Sequence, residues 1–193
     1  MKPKRVPIWR TVILCLLLSL PCAAQDLVPF IRLSPDETTK AKQLAQSLKD
    51  AEERSSKAKL AWEEFHKSYQ AAHANLASLK FTDDFRLAVA KTGSPISGVY
   101  QAVSIELTAE ERKKLENLRQ EMAESEQSEK QARFAWLDFN YQLTADHAGK
   151  PAAGAGYGDV TLSSGKQLRL YTPWTGLLVF TADFTLAFPL GTL

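Results

Sequence analysis

From Ala41 onward, small and apolar residues recur at alternating spacings of four and three: Leu44, Leu48, Ala51, Ser55, Ala58, Trp62, Phe65, Tyr69, Ala72, Leu76 and Leu79. The mean period is 3.5 residues, and its persistence predicts a long helix with one inward seam, of the kind that supercoils left-handedly against a partner. A second run follows the same rule through Leu115, Leu118, Met122, Ser125, Glu129, Ala132, Trp136, Phe139 and Leu143. Both runs carry start signals. Ser34 with Pro35, Asp36 and Glu37 reads as an N-cap, a first-turn proline and a capping box, and Thr108 with Glu110 and Glu111 repeats the device. Gly149 and Pro151 close the second run. The predicted helices are 34–79 and 108–148.

The two runs are copies of each other. Residues 31–74 align without a gap to residues 105–148 at an offset of 74, with 14 identities that include Leu44/Leu118, Trp62/Trp136, Phe65/Phe139 and His73/His147. Each copy then ends in a related block, FTDDFRLAV from Phe81 and FTADFTLAF from Phe180. In these blocks apolar side chains alternate with polar ones, through Phe81, Phe85, Leu87 and Val89 and through Phe180, Ala182, Phe184, Leu186 and Phe188. This period of two predicts half-buried strands. Asp84 and Asp183 interrupt them at equivalent places and read as turn or solvent-facing residues, with repeated ligands for a cation or partner as the competing role. Residues 29–33 and 99–107 also look extended, and the Thr92–Gly98 stretch predicts a hairpin turn. The second copy carries about 25 extra residues: a Gly-rich stretch, then DVTLSSGKQLRLY, which predicts a hairpin turning at Ser163–Lys166.

A fold class follows: α+β and mainly α, a long antiparallel coiled-coil helical hairpin born of an internal duplication, with short β segments at the turn and the C-terminus. Two registers keep seam facing seam, with paired residue numbers summing to 187 or to 194. In the first, Trp62 faces Ser125 and Trp136 faces Ala51; in the second, they face Ala132 and Ala58. Both set each indole against a small side chain, as dense packing requires. In either register the Phe81 and Phe180 strands lie at opposite ends and cannot pair within one molecule. The expected organisation is a signal peptide (1–24), an N-terminal extended segment (25–33), the helical hairpin (34–148, with a β-like linker at 80–107), and a Gly-rich linker with a β-rich C-terminal segment (149–193).

Composition changes this picture at the N-terminus. Lys2, Lys4, Arg5 and Arg10 precede an apolar stretch from Thr11 to Leu20 and a Pro-Cys-Ala-Ala exit, the pattern of an export signal cleaved after Ala24. The stretch is about half of the roughly 20 apolar residues a span requires, so no stable membrane span is expected once the signal is removed. The chain has 24 basic and 22 acidic residues, and four of the basic ones fall within the signal, which leaves a net charge of −2 after cleavage. The basic surface that nucleic-acid binding needs is therefore not expected. Cys15 and Cys22 also lie in the signal, so the mature chain would be held by packing alone. A periplasmic or secreted location is the expectation.

Catalytic patterns do not emerge. His66, His73 and His147 form no His-x-x-x-His or Glu-x-x-His arrangement, and no nucleophile elbow, phosphate loop or dinucleotide fingerprint occurs. No catalytic residue, cofactor or metal is assigned, and the chain reads as a non-enzyme. Away from the seam, Phe134, Leu137 and Tyr141 form a second apolar stripe, with Leu60 at the position equivalent to Phe134. Such a stripe needs something to bury against: the chain's own β segments, an unidentified protein partner, or a second copy in a homodimer. The expected function is an exported coiled-coil protein that acts by protein binding, as an adaptor, a spacer or a chaperone-like holder. The alternatives are an envelope structural component and an enzyme with an unfamiliar site in the C-terminal segment.

Overall fold

Ser34 caps the first helix as its sequence predicts: its Oγ accepts from the Glu37 N–H at 3.3 Å, and the Glu37 carboxylate accepts from the Ser34 N–H at 2.7 Å. Pro35 has no N–H, so two of the three orphan N–H groups of this helix start are thereby satisfied. The computed structural model describes residues 30–73, 76–92, 101–147, 157–171 and 176–190. The predicted signal at 1–24, most of the extended segment before Phe30, the turn from Gly93 to Gly98 and the Gly-rich stretch 149–156 lie outside the described residues. Helix α1 spans Pro35–Ala72 (38 residues) and α2 spans Ala109–His147 (39 residues), each close to 57 Å long at about 1.5 Å per residue. Thr108 and Glu111 form the second capping box. The chain is mixed α+β, with helix predominant.

The helices pack side by side and run antiparallel. Three cross-helix ion pairs show it: Glu37–His147 at 2.7 Å, Glu52–Arg133 at 3.1 Å and Lys59–Glu126 at 3.5 Å. In each the two residue numbers sum to 184 or 185; residues flanking the seam give such sums when its layers sum to 187 and not when they sum to 194, so the 194 register is not adopted. The Trp62 ring meets Phe81 edge-on at 6.1 Å, and the Trp136 ring lies 5.0 Å from that of Phe180.

The first helix also ends seven residues earlier than its heptads predict. His73 is its C-cap, and Leu79, expected on the seam, is buried in strand β2 (Ser78–Phe81). Whether facing numbers sum to 184 or to 187, residue 79 of a continued helix would face a residue before the start of α2. A longer helix would thus have had no partner for Leu79, whereas the reversed chain buries it against Phe65, Tyr69 and Leu115.

Each end of the helix pair is closed by a three-stranded antiparallel sheet. One consists of β2, β3 (Leu87–Thr92) and β4 (Gln101–Glu106) in that order. The other is built from the two ends of the described chain: β7 (Leu178–Phe180), β8 (Leu186–Pro189) and β1 (Ile31–Arg32), with β8 in the centre. Both are therefore made from the hairpin that ends one copy and the strand entering the other copy's helix. Cores at the two ends correspond as well: Phe65, Tyr69, Leu79, Phe85, Leu107 and Leu115 at one, and Ile31, Leu33, Phe139, Leu143, Leu178 and Ala187 at the other. A third hairpin, β5 (Tyr157–Thr161) with β6 (Gln167–Tyr171), is the extra segment of the second copy and packs on α2.

The segments from Phe81 and Phe180 are not the single strands that their period predicts. Each is a tight hairpin whose reversal falls on the aspartate. Thr82 and Thr181 hydroxyls donate to Asp84 and Asp183 at 2.9 and 2.5 Å, and the N–H groups of Arg86 and Thr185 donate to the same carboxylates. The two aspartates are turn residues. The position after each aspartate is left-handed: φ is 52° at Phe85 and 58° at Phe184. The third hairpin uses Gly165 there, with φ at 82°, as that conformation ordinarily requires. A left-handed conformation costs a bulky residue about 1–2 kcal/mol. Burying a phenylalanine ring returns about 1.5–3 kcal/mol. Phe85 is buried, so ring burial wins.

Two predictions test this account. Phe85→Ala keeps the left-handed strain and loses the ring, so it should destabilise by about 3–5 kcal/mol in chemical unfolding, and Phe85→Gly should cost about 1–2 kcal/mol less. The hydroxyls of Thr181 and Thr185 and the Thr185 N–H hold the Asp183 carboxyl down to about 2. A depressed carboxylate contributes stability that is complete above its unfolded value and is lost as pH falls through the folded one. The C-terminal hairpin should therefore loosen between about pH 4 and pH 2, with the Asp183 carboxyl carbon titrating by NMR at about 2.

Candidate interaction surface

Glu52–Arg133 and Lys59–Glu126 are the same interaction written twice: adding 74 to Glu52 gives Glu126, and adding 74 to Lys59 gives Arg133. The duplication therefore maps the helix pair onto itself through a pseudo-two-fold that passes between Ser55 and its own copy, Glu129. At that point a residue meets its repeat equivalent. Two large side chains would collide, and Ser55 is buried there while Glu129 is half-buried. The Glu129 carboxyl is held below its usual range by the Ser55 hydroxyl, then by Arg133, which donates to it at 2.9 Å, and by Lys59. The Ser55 hydroxyl makes no hydrogen bond of ordinary geometry, so its approach to Glu129 is a long contact and the Arg133 bond is the formed one.

The outer stripe divides in two. Tyr141 packs against the third hairpin, beside Leu162, Leu168 and Leu170. Asp138 pins that hairpin by accepting from the N–H and hydroxyl of Ser163, while Lys166 donates to Gln142 at 3.1 Å. Leu137 is half-buried. Phe134 and Leu60 are uncovered, 41% and 54% exposed. The Lys130 ammonium lies 5.8 Å over the Phe134 ring. Leu60 and Phe134 are equivalent under the repeat, and at the observed register they lie about 14 Å apart along the helix axes. The structure brings together Tyr141 and the hairpin, and leaves Leu60 and Phe134 as two separate apolar points on one pseudo-symmetric surface.

Sequence reasoning overlooked a second exposed surface, the outer face of the β1–β8–β7 sheet. It presents Phe30 (53% exposed), Leu177, Phe188 and Leu190 (64% exposed), with the Phe30 and Phe188 rings 6.3 Å apart. At the other end the equivalent positions of Phe30, Leu177, Val179 and Leu190 are Ser104, Ser78, Lys80 and Lys91. The signal was present in the sequence, in the apolar replacements between copies, but it required the strand pairing of chain ends to be recognised as one face.

The three histidines are committed to the scaffold. His66 Nε2 donates to the Leu79 carbonyl at 3.0 Å, His73 Nδ1 to the Tyr69 carbonyl at 2.9 Å, and His147 Nε2 to Glu37. Burial raises Glu37, but the bonds from His147 and Ser34 outweigh it and the carboxyl lies below its usual range. Burial also pushes the Tyr69 phenol up, with Glu111 adding to it. Among the described residues no three of His, Cys, Asp and Glu cluster in a way that could hold a metal ion, and no helix is long and apolar enough to cross a membrane. Comparison with known proteins finds no family model, curated protein or solved structure that matches this chain.

Uncovered and covered parts of the stripe should respond differently to substitution. Leu60→Ser and Phe134→Ser should each change unfolding free energy by no more than about 0.5 kcal/mol. Leu170→Ala, in the hairpin core, should cost about 2–5 kcal/mol and should raise hydrogen exchange over β5 and β6.

Proposed function

We propose that this is an exported protein that acts by binding another protein, as an adaptor, spacer or chaperone-like holder, and that its helices form a left-handed coiled-coil hairpin. Export rests on the basic, apolar and small-residue succession of residues 1–24, which ends close before β1. The coiled-coil reading rests on the 3.5-residue seam together with the antiparallel ion pairs. The observation that carries the binding role is the pair Leu60 and Phe134: large apolar side chains kept bare at equivalent repeat positions, on helices whose other exposed positions are largely polar or charged. In this reading the partner is held along the helix pair, and the mature protein is periplasmic or secreted.

A second reading draws on the sheet face where Phe30 and Leu190 are exposed and Phe188 is half-buried. Two such faces meeting would join copies end to end, as an envelope structural component or a homodimer requires.

Three measurements separate these roles. Expression of the full chain should yield a mature N-terminus at Gln25 by mass spectrometry of the exported fraction; retention of residues 1–24 removes the export reading. A protein captured from the envelope by the wild-type chain should be lost with Leu60→Ser/Phe134→Ser, which leaves the fold intact. Assembly through the sheet face would instead appear as a concentration-dependent mass in light scattering that disappears with Val179→Lys/Leu190→Lys, the side chains of the opposite end.

A further inference from the structure

The two ends of the molecule share an aromatic framework and differ in the charges placed around it. At the β2–β3–β4 end, Trp62, His66, Phe81, Phe85, Lys80 and Arg119 line a cleft of about 330 Å³, within the range of small-ligand sites. Its aromatic wall is ordered by edge contacts: Phe81 receives the Trp62 ring at 6.1 Å and 72° and the His66 ring at 5.5 Å and 89°. His66 is fixed by its bond to the Leu79 carbonyl. The opposite end keeps Trp136, Phe180, Phe184 and Leu178 in the equivalent places, but has Asn140 for His66, Val179 for Lys80, Ala182 for Asp83 and Ala45 for Arg119. The polar lining is thus an addition to a framework that folds without it.

Arg119 is held ready for a ligand. Its Nη1 donates to the Asp83 carbonyl at 2.9 Å, and its guanidinium carbon lies 5.2 Å from the centre of the Phe85 ring, which fixes the plane of the fork. A guanidinium oriented in this way offers its remaining N–H groups as a rigid pair suited to a carboxylate. Neither Arg119 nor Lys80 has an ion-pair partner among the described residues. Asp83 is the one acid in the lining, against these two cations, so the balance of charge favours an anion.

The geometry points to a binding site for a small organic anion with a flat apolar body, an aromatic carboxylate, whose ring rests on Trp62 and Phe81 and whose carboxylate pairs with Arg119. The site stands apart from the Leu60 and Phe134 surface and does not depend on the protein-binding role.

The test uses the exported full-length product and 2-naphthoate as probe, followed through the Trp62 indole N–H in a nitrogen-15 correlation spectrum. Saturable displacement of that signal is expected, with the uncharged analogue 2-naphthamide binding at least tenfold more weakly. Arg119→Ala/Lys80→Val installs the residues that the opposite end already carries, so it should fold and lose at least tenfold in affinity. The reciprocal change Ala45→Arg/Val179→Lys should create a response at the Trp136 indole. Equal binding of naphthoate and naphthamide overturns the proposal, as does an unmoved Trp62 signal at millimolar naphthoate or undiminished binding by the folded double variant. Should that variant fail to fold, the naphthoate and naphthamide comparison on the unaltered chain decides.

Discussion

The antiparallel register of the two helices is the constraint on which the rest of the structure depends. With paired numbers summing to about 184, the end of α1 lies beside the start of α2 and the reverse holds at the other end. The hairpin that ends each copy can therefore reach the strand entering the other copy's helix and complete a sheet with it. Both sheets are consequences of that register. So is the pairing of chain ends, since β1 can meet β8 only if α2 returns to the level of residue 35. The exposed ion pairs across the helices are each worth about 0–1 kcal/mol, so they select the register more than they stabilise it. The apolar clusters at the two ends supply the larger share, because burying each leucine or phenylalanine is worth about 1.5–3 kcal/mol.

Pseudo-symmetry adds a demand that ordinary helix pairs do not face. Where the two-fold passes, a residue meets its own copy, and a duplicated chain begins with identical side chains there. Ser55 opposite Glu129 is a departure from identity at the one place where identity is sterically hardest to keep. The Glu129 carboxylate reaches outward to Arg133, while the small serine beneath it is buried. Ala51, fully buried one turn away, has a serine as its copy at position 125, so the middle of the molecule is lined with small side chains. The large ones are kept for the ends, where a sheet can receive them.

What could be read from the sequence follows the same division. Helix starts were legible because capping is local: Ser34 and Glu37, or Thr108 and Glu111, satisfy one another within four residues. The third hairpin was legible through Gly165. The end of α1 was not, because Leu76 and Leu79 keep heptad spacing and only the absence of a facing helix turns them away. The hairpins at Asp84 and Asp183 were hidden by Phe85 and Phe184, aromatic residues in a conformation that normally announces itself with glycine. Strand alternation continued across the turn in the residue pattern although the chain reversed in space. The outer stripe was legible as an apolar face needing cover, but its division into a covered Tyr141 and the bare Leu60 and Phe134 was not. The β1–β8 pairing joins residues more than 150 apart in the chain, and no local signal carries it.

Duplication also supplies a control that a single-copy fold lacks. Positions that serve packing alone should vary little in character between the copies, since both ends solve the same problem. Trp62 and Trp136, Phe81 and Phe180, and Phe85 and Phe184 behave so, and their neighbours explain them without any ligand. Other pairs diverge in charge or polarity while the backbone around them does not: Lys80 and Val179, Arg119 and Ala45, Lys91 and Leu190. Stability cannot require arginine at 119 when alanine at 45 occupies the same place in the same architecture. The divergence therefore separates what the fold needs from what each end presents to its surroundings: a charged aromatic cleft at one end and an apolar sheet face at the other.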